Sequence, residues 1–408
     1  EGSWVDARID HAIPDRQPIP KPDLRSMLRP IGPVGVFCAS NFPLAFSVAG
    51  GDTASAFAAG CPVIVKAHHA HPGSALAVGR AVIAAVKSCG LPEGTFSLLY
   101  GGGRTVGQRL VNHPALKAVG FTGSRAGGRA LFDLASARPE PIPVYAEMSS
   151  VNPIFLLPGA LAERGEEIAQ GLQGSATLGV GQFCTNPGIV FHEKGEGGDS
   201  FRATYAKLMG ETAAGPMLHS GIRDAYGDGL SAMSGHSETE VLAEAGDERG
   251  PGGCHAGVAV LAADASTFLA DDSLAAEIFG PATLLVSCEG REQMLEVSRN
   301  LEGQLTASIF GTAEELADYQ DLVDVLETKA GRLLFNQFPT GVEVCHSMVH
   351  GGPYPATTDG RSTSVGTAAI LRFARPVCYQ GFPEERLPEE LRDSNSLAIK
   401  RVVDSERA

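Results

Sequence analysis

The sequence predicts an α/β protein: a doubly wound parallel sheet, a second α/β domain after it, and a small hairpin ahead of both. Between residues 31 and 146, short apolar runs alternate with helix-length segments that stop at Gly or Pro, the pattern of strands joined by crossover helices. A second alternating set begins near Asn152. The chain's 408 residues exceed what one ordinary core encloses, so two domains are expected.

Residues 7–11 and 23–28 alternate apolar and polar side chains across a proline-rich turn, which makes residues 1–30 a hairpin. Such a hairpin needs a cover, so it is assigned to oligomerisation. Residues 33–38 and 62–66 read as buried strands with a small-residue helix over 43–59 between them, a βαβ unit. The run from Ile31 to Gly51 carries no charge for 21 residues, long enough to raise the question of a membrane span. Pro33, Asn41, Pro43 and four glycines break it, and a strand covered on both faces explains the same apolarity. A helix over 74–89 stops at Gly90-Leu91-Pro92, a strand follows at 96–100, another at 116–122, and a helix over 124–137. Residues 31–147 therefore form one domain, whose usual ligand is a nucleotide.

The second domain is placed at 148–352, with helices near 164–178, 199–211, 219–235, 290–300 and 313–327 and a strand at 332–335. Residues 237–257, rich in glycine and acid, read as a surface excursion. Residues 353–408 form a C-terminal return, with an edge strand from 369–374 onward, ahead of a charged tail, suited to intersubunit pairing.

Asp plus Glu outnumber Lys plus Arg by 47 to 32, a net charge of −15, which speaks against nucleic-acid and membrane-surface partners. The eight cysteines form no CxxC pair, so neither a zinc site nor a disulfide framework is expected, and a reducing cytoplasm fits. The chain opens Glu1-Gly2-Ser3-Trp4 without a secretory pattern, and an upstream segment is expected to be missing.

Gly101 to Gly107 matches neither GxGxxG nor a P-loop and reads as a structural loop. Phe121-Thr122-Gly123-Ser124 hands a strand directly to a helix, whose free N–H groups suit a pyrophosphate, although a plain Ser N-cap explains the same residues. Cys184 lies in a glycine-lined loop after a helix, where a backbone can approach a substrate; free cysteines are as readily buried and inert. Glu147 ends an apolar stretch, where partial burial would raise its pKa towards that of a general base; the alternative is a surface carboxylate.

Six segments occur in one order: Ser40-Asn41-Phe42-Pro43, Val65-Lys66, Phe121-Thr122-Gly123-Ser124, the stretch from Glu147 to Pro153, Gly181-Gln182-Phe183-Cys184, and Glu277-Ile278-Phe279-Gly280-Pro281. That order resembles the aldehyde dehydrogenase superfamily over residues 28–380. The resemblance implies an NAD(P)⁺-dependent oxidation of an aldehyde to a carboxylic acid. Cys184 would be the nucleophile, Asn41 with the Cys184 N–H would hold the oxyanion, and Glu147 would activate water. Glu277 and Phe279 would flank the nicotinamide ribose. A homodimer or tetramer is implied as well.

Two departures from the common family pattern point to one branch: Glu147-Met148-Ser149-Ser150-Val151 and Lys66-Ala67-His68-His69. His69 replaces a glutamate that would repel a 2′-phosphate, so NADP⁺ is the expected cofactor, NAD⁺ the alternative, with Lys66 and His69 as its contacts. A solvated turn explains His68, His69 and His71 equally well; no fourth ligand is near in sequence, so no metal is expected. With Pro355-Ala356-Thr357-Thr358-Asp359-Gly360-Arg361, the chain most resembles α-ketoglutaric semialdehyde (2,5-dioxopentanoate) dehydrogenases, with NADP⁺-dependent long-chain fatty aldehyde dehydrogenases as neighbours. Arg361 is the candidate for the substrate's distal carboxylate, against an ordinary salt bridge. Rival readings are an acylating dehydrogenase, which has no need of Glu147, and a non-catalytic nucleotide-binding homologue. Cys38 is expected to be buried packing.

Overall fold

The computed structural model describes residues 2–245 and 253–407. Strands β1 (Arg8–Asp10) and β2 (Leu24–Pro30) pair antiparallel with Arg8 opposite Ser26, the expected hairpin. Next come β3 (Val34–Phe37), β4 (Val63–Lys66), β5 (Phe96–Leu99), β6 (Ala118–Thr122) and β7 (Val144–Glu147). They form one parallel sheet in the order β5-β4-β3-β6-β7. The uncharged run resolves into β3, buried at all four residues, and a loop. The helix expected over 43–59 starts only at Gly51 and ends at Ala58. Residues 42–50 instead fold back over the end of β3, with Ala39 N–H bonded to the Phe46 carbonyl at 2.8 Å. Gly50 closes that turn: a Cβ there would lie 2.4 Å from the Ala45 carbonyl oxygen.

The second sheet is built from β8 (Ile154–Leu156), β9 (Ile189–Glu193), β11 (Glu240–Glu244), β13 (Ala259–Asp264), β14 (Ala282–Cys288), β15 (Gln304–Phe310) and β16 (Ala330–Phe335); the two-residue strands β10 (Gly215–Pro216) and β12 (His255–Ala256) pair separately. Its order is β11-β13-β14-β9-β8-β15-β16, parallel throughout except for β11. Both faces are covered, one around Phe155, Phe191 and Phe268, the other around Leu156, Phe201 and Tyr205. Phe155 and Phe191 stack at 5.0 Å between centroids, a geometry worth about 0.5–1.5 kcal/mol beyond area burial. The expected excursion at 237–257 begins as β11, an edge strand of this sheet; residues 246–252 lie outside the described part.

The edge strand expected from 369 onward is present but starts later, at Ala374. Thr367–Phe373 is a 3₁₀ turn, because Ile370 and Phe373 bury against Val34, Val36 and Val63 and Arg372 is drawn inward to Asp52 at 2.8 Å. Extended structure starts only at β17 (Ala374–Gln380), which pairs with β2; β18 (Val402–Val403) and β19 (Glu406–Arg407) extend the other side. Among the described residues, no helix is long and apolar enough to cross a membrane.

Candidate active site

In an open parallel sheet, ligands bind beyond the carboxyl ends of the strands, where the winding direction reverses. Here the chain leaves β3 for β4 on one side and returns from β5 to β6 on the other, so the reversal lies between β3 and β6. Asn41 follows β3, Lys66 ends β4, Gly123 and Ser124 follow β6, and Glu147 ends β7. Lys66 is buried, which lowers its ammonium pKa from the ordinary value. Ser124 Oγ accepts the Gly127 N–H at 3.2 Å and caps the helix Arg125–Ser136.

Cys184 is positioned by backbone geometry. After the helix Pro158–Thr177 the chain takes left-handed conformations at Gly179, Val180 and Gly181, with φ of 58°, 58° and 64°. A Cβ on Gly181 would lie 2.3 Å from the Gly280 carbonyl carbon, so only glycine lets these two loops touch backbone to backbone. This contact carries Glu277 and Phe279 next to Gly181, and all three line one small cavity. Burial pushes the Glu277 carboxyl up to about 7, with partial relief from Ser149 and Ser150. From the other side, the fully buried Asn152 amide donates to the carbonyls of Cys184 and Asn186, each at 2.9 Å, while its oxygen accepts from Ser150 and Thr306. Asn41 Nδ2 donates to the Gln182 carbonyl at 3.0 Å, which leaves its second amide hydrogen for another acceptor beside Cys184.

The sequence reading missed His350. Its Nε2 lies 3.0 Å from Glu147 Oε1 and 3.4 Å from Cys184 Sγ, and all three groups converge within 4.8 Å. Burial would raise the Glu147 pKa, but His350 and the Ser364 hydroxyl, 2.7 Å from Oε2, outweigh it and hold the carboxyl below its ordinary value. The expectation of a raised Glu147 is therefore reversed: the carboxylate is ionised throughout the neutral range. Burial would lower His350, yet Glu147 and Cys184 push it up to about 10. Burial and the nearby carboxylate raise the Cys184 thiol, and only His350 pulls it back. His350→Gln is thus expected to slow alkylation of Cys184 by iodoacetamide at pH 7 by roughly tenfold or more, since the thiolate is the reacting form. An unchanged alkylation rate would remove His350 from the nucleophile's activation. The signal in the sequence was a lone histidine in His350-Gly351-Gly352-Pro353, just before the stretch ending at Arg361.

Cys184 faces a cleft of about 1200 Å³ whose walls include Phe42, Phe46, Val344 and Ile370. Arg361 is not among its lining residues. Its side chain is 91% exposed and pairs with Asp359 at 3.0 Å, because the turn at 359–362 places that carboxylate within reach of the guanidinium. The titratable groups that do line the cleft, besides Cys184, are Asp6 and His346. Cys38 is buried as expected, which raises its thiol pKa.

A family model described as "Aldehyde dehydrogenase family" matches residues 10–353. The chain is 55% identical to alpha-ketoglutaric semialdehyde dehydrogenase 2 of Azospirillum brasilense, over 99% of this chain and 77% of that protein. It is 45% identical to alpha-ketoglutaric semialdehyde dehydrogenase of Acinetobacter baylyi, over 98% and 76%. Among solved structures, 3,6-anhydro-L-galactose dehydrogenase in complex with NAP aligns with a TM-score of 0.76 at 21% identity, covering 92% of this chain and 75% of that one. With a family model over most of its length and two relatives this similar, the chain belongs to the aldehyde dehydrogenase family.

Proposed function

We propose that this enzyme oxidises 2,5-dioxopentanoate to 2-oxoglutarate, with NADP⁺ preferred over NAD⁺. The observation that carries the chemistry is the junction of Cys184, His350 and Glu147, with Cys184 lining a cleft wide enough for a small aldehyde. The substrate is argued from the two relatives, whose names refer to alpha-ketoglutaric semialdehyde. The eight free cysteines are consistent with a reducing compartment such as the cytoplasm. β17, an outer strand of the sheet that holds the hairpin, offers an edge for a homodimer or tetramer.

The residues at the carboxyl edge fit a nicotinamide dinucleotide. Lys66 is a buried cation with no ion pair among the described residues, Gly123 and Ser124 open a helix N-terminus, and Glu277 with Phe279 sits beside the nucleophile's loop. Lys66 and His69 would hold the adenosine end, Gly123 and Ser124 the pyrophosphate, and Glu277 and Phe279 the nicotinamide ribose. When bound, the dinucleotide supplies the acceptor for the hydride that leaves the adduct.

The chain's own residues do the rest. Cys184 gives its proton to solvent, the protonated His350 with Nε2 3.4 Å from the sulfur stabilises the thiolate, and Sγ adds to the aldehyde carbon. The oxygen of the thiohemiacetal becomes an oxyanion, next to the free Asn41 amide hydrogen and the Cys184 N–H. Once hydride has left, the carbon is a thioester. Glu147 takes a proton from water, the hydroxide adds to the thioester carbonyl, and the Cys184–acyl bond breaks to give the carboxylic acid and the Cys184 thiolate; Glu147 then releases its proton to solvent.

One observation favours a second reading, an NADP⁺-dependent medium- or long-chain fatty aldehyde dehydrogenase: the aromatic and aliphatic cleft walls. Turnover of 2,5-dioxopentanoate, glutaraldehyde, hexanal and a long-chain aldehyde with each cofactor separates the two. We expect the highest kcat/KM for 2,5-dioxopentanoate with NADP⁺. A higher value for the aliphatic aldehydes would transfer the assignment, and no turnover on any would favour a non-catalytic nucleotide-binding protein.

A further inference from the structure

The turn after β4 and the start of a helix from the second domain bring four histidines together. His68 and His69 have ring centroids 4.3 Å apart, His68 and His71 5.5 Å, and His219 lies 6.3 Å from His68 and 5.9 Å from His69. The mechanism uses none of these contacts between rings. In a chain of net charge −15, and among the described residues, none of the four forms an ion pair with a carboxylate.

The groups around the cluster are basic. Lys66 ends the strand that leads into it, and the charged groups acting on His68 are His69, His71, Lys66 and His219. Burial first, then these neighbours, push His68 down to about 3, and burial followed by His69 lowers His219 as well. His71 and His219 each occupy the N-cap position of a helix, Pro72–Ser88 and Ser220–Ser234. Neither helix has an acidic residue in its first turn or a side-chain cap, so two positive helix ends meet here uncompensated. His71 Nε2 meets the Ala39 carbonyl at 2.8 Å, leaving its Nδ1 buried without a partner, and His219 Nε2 is likewise buried and unpartnered. A metal ion would draw three ligating nitrogens together, yet among the described residues the only trio of metal-ligating side chains within 4.8 Å is Glu147, Cys184 and His350. The ring spacing and the basic surroundings therefore suit an anion better than a metal cation.

We infer that His219, reaching across from the second domain, completes with Lys66, His68, His69 and His71 a phosphate site that takes up a proton when the 2′-phosphate of NADP⁺ binds. This rests on the cofactor assignment above and deepens it. An imidazole that gains a phosphate dianion has its pKa raised, so the added affinity is present at low pH and fades as pH rises through the bound-state pKa. Lys66 contributes a part that persists. Preference for NADP⁺ over NAD⁺ is then set by pH.

Isothermal titration of the purified chain with NADP⁺ and NAD⁺ between pH 6.5 and 8.5 tests this. The range stays above the phosphate's own second pKa of about 6. Buffers of different ionisation enthalpy count the protons taken up. We expect the NAD⁺-to-NADP⁺ ratio of Kd values to fall by about tenfold across the range, with proton uptake on NADP⁺ binding and none on NAD⁺ binding. His219→Gln, checked for folding by thermal melting, should flatten that dependence. NADP⁺ preference without proton uptake, or with a pH slope that His219→Gln leaves intact, would overturn the inference while leaving the cofactor assignment standing. Binding of NADP⁺ no tighter than NAD⁺ at every pH would instead sink the cofactor assignment itself.

Discussion

Cys184→Ala is expected to abolish turnover, lowering kcat by roughly 10⁴-fold or more, since it removes the atom on which both covalent steps occur. The substitution removes one sulfur from a half-buried position, and the backbone contact of Gly181 with Gly280 and the carbonyl bonds of Asn152 remain. The fold should therefore melt within a few degrees of the parent, and a loss of activity reads on chemistry. Cys38, buried at the end of β3, serves as the control: Cys38→Ala should keep most of the activity. Near-normal steady-state formation of reduced cofactor by Cys184→Ala would end the mechanism.

Glu147→Gln should separate the two halves of the reaction. The first half needs Cys184 and its His350 contact; the second needs the Glu147 carboxylate to deprotonate water. A burst of reduced cofactor should survive, followed by a steady state about 10²–10³-fold slower, the scale of one general base. The carboxylate also pairs with His350 at 3.0 Å, so the substitution releases that imidazole towards the sulfur. Its pKa should then fall from the raised value it owes to Glu147 and Cys184, which predicts a burst rate more sensitive to pH near neutrality. Stopped-flow absorbance at several pH values reads both. Loss of the burst itself would move Glu147 from hydrolysis to the first half-reaction.

Much of this was legible in the chain. The strands of the first sheet, covered on both faces, announce themselves as uncharged apolar runs, and their carboxyl ends carry Asn41, Lys66, Gly123, Ser124 and Glu147 in the expected order. What escaped is what depends on distant pairing. His350 acts only through Glu147, 203 positions away, and Cys184, 166 away, so no local pattern marks it. Glu147 was expected to be raised because its burial was guessed and its two hydrogen-bond donors were not. Arg361 was offered a substrate's carboxylate when Asp359, two residues earlier, already held it. The apolar alternation at 369–374 served tertiary burial of Ile370 and Phe373 in place of a strand face. The second sheet's strands β9, β14 and β15 were not placed, since short buried runs carry no periodicity of their own.

The most direct test mixes Glu147→Gln with 2,5-dioxopentanoate and NADP⁺, quenches in acid during the burst, and maps the digested protein by mass spectrometry. The account predicts an acyl group on the peptide containing Cys184, formed in step with the burst and absent without cofactor. An unmodified Cys184 during a full burst, or the acyl group on any of the other seven cysteines, would contradict it.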